Sequence, residues 1–155
     1  MSTQSLSPSS LRPGDARWWF GSLAIIRATA ADTGGAYSIV EVNAPAGYGT
    51  PLHVHYRDDE GFLVLEGRAR FEVGDQVVEA AAGDFAFGPR DVPHRWTAID
   101  DDPVRMLFMV SPGGFETLVE ATSVRAAEMT LPPAEVGPPE DVAEIVRSLG
   151  YELLG

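Results

Sequence analysis

The chain has 155 residues, a formal net charge of −12 and no cysteine, which excludes disulfide scaffolds and thiolate ligands and disfavours phosphate backbones or anionic membranes as partners. Its length suits one domain with its own core, and 45% hydrophobic residues is ordinary for a globular chain. No apolar stretch reaches the ~20 residues of a membrane span, and the N-terminus lacks a basic region followed by an apolar run, so a cytoplasmic protein is expected.

Residues 1–12 are polar and serine-rich, which predicts disorder. Residues 17–29 then read as a strand interrupted near Gly21. Trp18, Trp19 and Phe20 form an aromatic cluster there, expected to pack in the core or between subunits rather than to bind substrate. Ala30–Gly35 reads as a turn and Ala36–Asn43 as a strand, ended by the proline and glycines of residues 44–49.

The next stretch carries two of the three histidines in the chain, His53 and His55. Side chains at i and i+2 of a strand point to one face, so the two imidazoles project together and Val54 points away. Residues 56–59 give the chain room to turn, and Glu60 then opens the next strand on the same inner side. The third histidine, His94, lies inside Pro-Arg-Asp-Val-Pro-His-Arg-Trp. Two imidazoles and a carboxylate converging on one point make an open nitrogen/oxygen site for a divalent transition metal; His94 would complete the set.

Strand signals continue at short intervals. Gly61–Leu65 is nearly all apolar, which predicts a strand covered on both faces. Glu66–Gly67 turns, Arg68–Val73 alternates, Gly74–Asp75 makes a tight connection to Gln76–Glu79, and Ala82–Asp84 turns again. Phe85–Phe87 is a short strand, Gly88–Pro89 opens the loop to His94, and residues 103–110 form a last strand. Sixteen glycines and twelve prolines punctuate these runs, and the pattern is that of an all-β barrel or sandwich. Residues 115–129 then read as a helix, residues 131–139 hold four prolines, and residues 141–149 form a second short helix stopped by Gly150. The expected organisation is a barrel over residues 13–112 and a helical, proline-rich extension over residues 113–155 packed on its wall.

Two motifs within this stretch resemble those of the cupin superfamily. Gly47, five residues, His53-X-His55, four residues, Glu60, six residues and Gly67 match the first cupin motif without a mismatch. Gly83, five residues, Pro89, one residue, Asp91, two residues, His94, three residues and Ala98 follow the second, with Asp91 where the family usually has glycine and Ala98 where it usually has asparagine. Neither position is a metal ligand in the family. Asp91 tolerates the left-handed backbone that a turn needs.

The resemblance implies a single cupin β-barrel (a double-stranded β-helix or jelly roll) with short C-terminal helices, and one divalent metal ion per chain. His53, His55, Glu60 and His94 would be its ligands, with Glu60 also a catalytic base. Iron, nickel, manganese, cobalt, copper and zinc all suit such donors. It also implies a homodimer formed at the N-terminal edge, where Trp18, Trp19 and Phe20 lie. A looser similarity, Ser-Pro-Gly-Gly-Phe-Glu at residues 111–116 followed by a proline-rich tail, is to small bacterial cupins of the quercetin-dioxygenase-like kind. Phe62 and Val64, in phase with Glu60, and Trp96, in phase with His94, are the candidate pocket residues. An apolar pocket beside an open metal favours a dioxygenase acting on an aromatic or enolisable hydroxylated small molecule. The alternatives are a non-redox cyclase, isomerase or lyase using the metal as Lewis acid, and a small-molecule-binding barrel without turnover.

Overall fold

The computed structural model describes residues 13–155; the expectation of disorder over residues 1–12 lies outside the described residues. The chain runs through β1 (Asp15–Trp19), β2 (Ser22–Ala28), α1 (Ala30–Thr33), β3 (Ser38–Ala44), β4 (His53–His55), β5 (Asp59–Glu66), β6 (Arg68–Val73) and β7 (Gln76–Ala81). It continues through β8 (Phe85–Gly88), β9 (His94–Ile99), β10 (Val104–Ser111), α2 (Phe115–Ala121), β11 (Val124–Arg125), α3 (Val142–Ser148) and β12 (Tyr151–Leu153).

The strands make two antiparallel sheets, one ordered β11-β1-β2-β3-β10-β5-β8 and the other β12-β4-β9-β6-β7. Four pairings nest inside one another: β3 with β10, β4 with β9, β5 with β8, and β6 with β7. This nesting is the jelly-roll arrangement, and it brings residues 53–60 to the same level of the barrel as residues 88–94. Alternate residues of β6, β9 and β10 are buried and meet the inner residues of β2, β3 and β5 in one core. Its centre is aromatic: Phe62 lies edge-on to Phe108 at 5.1 Å and tilted against Phe71 at 5.0 Å, with Trp96 beyond. Each such ring taken out of water stabilises the fold by about 1.5–3 kcal/mol.

The break near Gly21 is a two-residue hairpin in which Phe20 (φ 47°) and Gly21 (φ 77°) both have positive φ, the conformation that matches the twist of the flanking strands. The 30–35 turn contains one helical turn, α1, held by a reciprocal capping box between Thr29 and Asp32. The helix expected over residues 115–129 ends at Ala121. There the Thr122 hydroxyl donates to the Leu118 carbonyl and accepts from Trp19 Nε1–H, and the chain leaves the helix so that Val124 can pair with Trp18. β5 is not covered on both faces. Leu63 is 37% exposed on the outer side, where Phe85, Phe87 and Met109 are also exposed and no further layer of the described residues lies over the sheet.

The N-terminal edge, where the cupin resemblance places a dimer contact, is occupied by the chain itself. β1 pairs with β2 on one side and with β11 on the other, and Trp18 Nε1–H donates to the Thr130 carbonyl at 2.8 Å. Among the described residues, no helix is long and apolar enough to cross a membrane.

Candidate metal centre

β4 and β9 lie side by side with His53 opposite His94, and β5 enters from the other sheet with Glu60 pointing inward. The structure therefore brings together all four residues singled out in the sequence. One ligand atom from each of His53, His55, Glu60 and His94 lies within 4.8 Å of the others. The ring centroids are 4.4 Å apart for His53 and His94, 5.0 Å for His55 and His94, and 5.2 Å for His53 and His55. His55, Glu60 and His94 are fully buried.

Each imidazole is oriented by an oxygen behind it. His53 Nδ1 lies 2.8 Å from the Pro51 carbonyl, His94 Nδ1 lies 3.2 Å from the Val92 carbonyl, and His55 Nδ1 lies 2.6 Å from an Asp58 carboxylate oxygen. Each of these oxygens accepts from Nδ1–H, which leaves Nε2 as the nitrogen that can bind a metal or, without one, share a proton with the Glu60 carboxylate. The His94 and His55 Nε2 atoms face the same Glu60 oxygen at 3.1 and 3.4 Å. In the metal-free cluster the Nε2 atoms of His94 and His55 are held against Glu60 by shared protons, and a divalent cation would take the place of those protons. The donor set thus fits a divalent transition metal.

The protonation energetics agree. Burial pushes the His53 imidazole down to about 4, and neighbouring His94 and His55 act in the same direction. Burial opposes ionisation of Glu60, yet the three histidines outweigh it and hold the carboxyl below its usual range. Burial also opposes charge on His55, and here Glu60 and Asp58 prevail and raise it.

The loop that delivers His94 depends on Asp91. It adopts φ 69°, the left-handed turn expected of it, and its amide donates to the His55 carbonyl at 2.7 Å. The other departure from the second motif, Ala98, donates its amide to the Tyr48 carbonyl at 2.7 Å.

A cavity opens beside the cluster, and eight of its lining residues are aromatic: Trp19, Phe20, Tyr48, Phe62, Trp96, Phe108, Phe115 and Tyr151. Phe62 and Trp96 are where the strand phase predicts. Val64 is not among the lining residues; it is fully buried in the packed core. It shares the inner face of β5 but sits one strand repeat, about 6.6 Å, deeper than Phe62. Trp19, expected to serve core or subunit packing, does pack on the core against Phe108 and Phe115, and it lines the cavity as well, as does Phe20. Burial raises the Tyr48 hydroxyl to about 12 and the Tyr151 hydroxyl still further, so both stay protonated donors.

A sequence profile of the cupin domain matches residues 40–110, the stretch that contains all four clustered residues. Residues 40–110 are a cupin domain. Among known proteins this cupin is similar to quercetin 2,3-dioxygenase of Bacillus subtilis (strain 168), 34% identical over 91 residues, or 57% of this chain and 27% of that one. It is also 33% identical over 70 residues to an uncharacterized protein of Methanocaldococcus jannaschii, covering 45% of this chain and 56% of that one. The cupin therefore spans about a quarter and about half of the lengths of the relatives it matches. Among solved structures it resembles KdgF from Halomonas sp., with a TM-score of 0.56 at 22% identity over 63% of this chain and 84% of that one. It likewise resembles oxalate decarboxylase from Bacillus subtilis, with a TM-score of 0.61 at 21% identity over 73% of this chain and 31% of that one. These structural likenesses concern the fold.

Two residues at the cluster carried no signal of their own in the sequence. Asp58 reads as one acid in an acidic turn, but it is 4% exposed and receives the Tyr151 hydroxyl at 2.6 Å as well as His55. Tyr151 lies 93 positions away, in a three-residue strand.

Proposed function

We propose that His53, His55, Glu60 and His94 hold one divalent transition metal, and that the protein is a dioxygenase acting on a hydroxylated aromatic or enolisable small molecule. The carrying observation is the convergence of three oriented Nε2 atoms and one buried carboxylate at the polar end of an otherwise aromatic cavity. When bound, the metal would supply Lewis acidity and a site at which a substrate oxygen and dioxygen can meet.

The chain's own residues define what enters. Trp19, Phe62, Trp96, Phe108 and Phe115 give flat apolar walls that exclude water and suit a planar body. Among the described residues no arginine or lysine lines the cavity, so a sugar phosphate would lose its hydration without gaining a counter-charge. The polar demand of the pocket lies at the cluster, so a substrate hydroxyl or enol would point there. Glu60, kept ionised by the histidines, is placed to take its proton. The partial match to quercetin 2,3-dioxygenase supports this reading.

The test is metal analysis of protein purified without chelators or a histidine tag, followed by oxygen-uptake assays with flavonols and other enolisable phenols. Near-stoichiometric iron, nickel, manganese, cobalt or copper together with substrate-dependent oxygen uptake is the expected result. Stoichiometric zinc without oxygen uptake would move the assignment to non-redox Lewis-acid chemistry.

A further inference from the structure

His55 is gripped from three sides, and two of the grips come from residues 111–155. The parallel face of Phe115 lies 5.8 Å from its ring at an interplanar angle of 8°, and the edge of Tyr151 meets it at 4.8 Å. The third grip is Asp58, whose two carboxylate oxygens are divided between His55 Nδ1 and the Tyr151 hydroxyl, each at 2.6 Å. Tyr151 reaches this position because β12 adds itself to the edge of β4, pairing Tyr151 with His55 and Leu153 with His53. The strand carrying two of the four clustered donors thus has β9 as one neighbour and β12 as the other.

We propose that Tyr151 is a positioning residue for the metal centre, acting through Asp58 on His55, and that docking of residues 142–154 and metal binding stabilise each other. The proposal rests on the metal reading above. With its phenol in place, Asp58 cannot rotate away from His55, and the imidazole keeps the tautomer that turns Nε2 into the cluster. Without the phenol, one buried carboxylate oxygen loses its partner, the carboxylate seeks water, and the ring is free to swing. Because linkage is reciprocal, whatever the docked segment adds to metal affinity, metal adds to the docking.

A matched control exists on the same strand. The Tyr56 hydroxyl donates to Glu152 at 2.6 Å, tying β12 to the loop after β4 on the exposed side, away from His55. Tyr56→Phe deletes an equally short tie to β12 without touching the Asp58 arrangement.

The experiment is a Co2+ titration of the full chain against a competing chelator, read by visible absorption, for the wild type, Tyr151→Phe, Asp58→Asn and Tyr56→Phe. It is paired with amide hydrogen exchange over residues 142–154 with and without Co2+. Tyr151→Phe and Asp58→Asn are expected to weaken Co2+ binding about 10–100-fold and to shift its absorption bands, while Tyr56→Phe stays within about twofold of wild type. Co2+ slows exchange in residues 151–153 of the wild type and of Tyr56→Phe, and this slowing is lost in Tyr151→Phe. Wild-type affinity and spectrum in Tyr151→Phe and Asp58→Asn, or equal weakening in Tyr56→Phe, would overturn the positioning role while leaving the metal centre standing. Failure of the wild type to bind Co2+ would overturn the metal reading itself, and the proposal with it.

Discussion

Residues 40–110 and the two segments that flank them differ in what they bring to the same cavity. The cupin-matched stretch holds all four converging donors and the oxygens of Pro51, Val92 and Asp58 that orient them. The flanks hold no donor of the cluster, yet Trp19 and Phe20 from one side and Phe115, Leu118, Val146, Tyr151 and Leu153 from the other close the cavity around it. Nested strand pairing dictates the first set, because β4, β5 and β9 cannot pair without converging. Apolar packing shapes most of the second set, and packing tolerates exchange of one side chain for another of similar volume; Tyr151 differs, being fixed by its hydrogen bond to Asp58 and by the pairing of β12 with β4. All four clustered donors thus lie in the part that matches the cupin domain, whereas the cavity wall is shared between that part and the flanks.

Perturbing each part separately tests that division. The largest effect is expected from His94→Ala, where metal per chain after gel filtration should fall from near one to below a tenth. Loss of a ligand exceeds the roughly 10–100-fold cost of losing an outer partner; full metal retention in this variant would break the comparison. Next, Leu118→Ala, in a flank and 7% exposed, should lower stability to denaturant by about 2–5 kcal/mol while metal per chain stays near one. Metal loss there would show that the apolar wall, and not Tyr151 alone, supports the centre from the flanks.

A smaller effect, within the matched stretch, is expected from Gly88→Ala. A Cβ at this position would stand 3.2 Å from three atoms of the His94 ring, so the imidazole must shift. Metal affinity measured by chelator competition should drop a few-fold with the fold retained. The smallest effect concerns pH in the metal-free protein. Folding lowers His53 from 6.5 to about 4, so between those values the unfolded chain takes up a proton that the folded chain refuses. Stability contributed at this position is complete above 6.5 and is lost as pH falls toward 4. His55, raised on folding, acts in the opposite sense, so the measurement is differential. The thermal midpoint of the wild type should drop further on acidification than that of His53→Gln.

The same division explains what was legible before the fold was seen. His53 and His55 announce themselves because strand periodicity is local, and Glu60 and His94 follow from their spacing and from the glycines and prolines that turn the chain between them. Strand phase assigns Val64 to the correct face but is blind to depth along the barrel, which is why Phe62 borders the cavity and Val64 does not. Three adjacent aromatics at residues 18–20 signal burial without saying what they face. β11 and β12 are two and three residues long, too short for any alternation to register, and each exists only because a distant strand offers an edge. Asp58 and Tyr151 are chemically ordinary until 93 residues of chain bring them together.

The pairing of β12 with β4 also bears on the order of events during synthesis. When the ribosome has made His55, the strand that will flank it through Tyr151 is still about 100 residues from being translated, or roughly 5–20 s at ordinary elongation rates. β9 follows about 40 residues after His55, so for the first part of that interval His53 and His55 have neither β9 nor β12 beside them, and for the rest they lack β12. The finished centre, with its four donors fixed and its ring tautomers locked, comes into being only once residue 153 has emerged. If the cluster holds a metal, ions captured early by the nascent histidine pair would have time to exchange before residues 151–153 close the site.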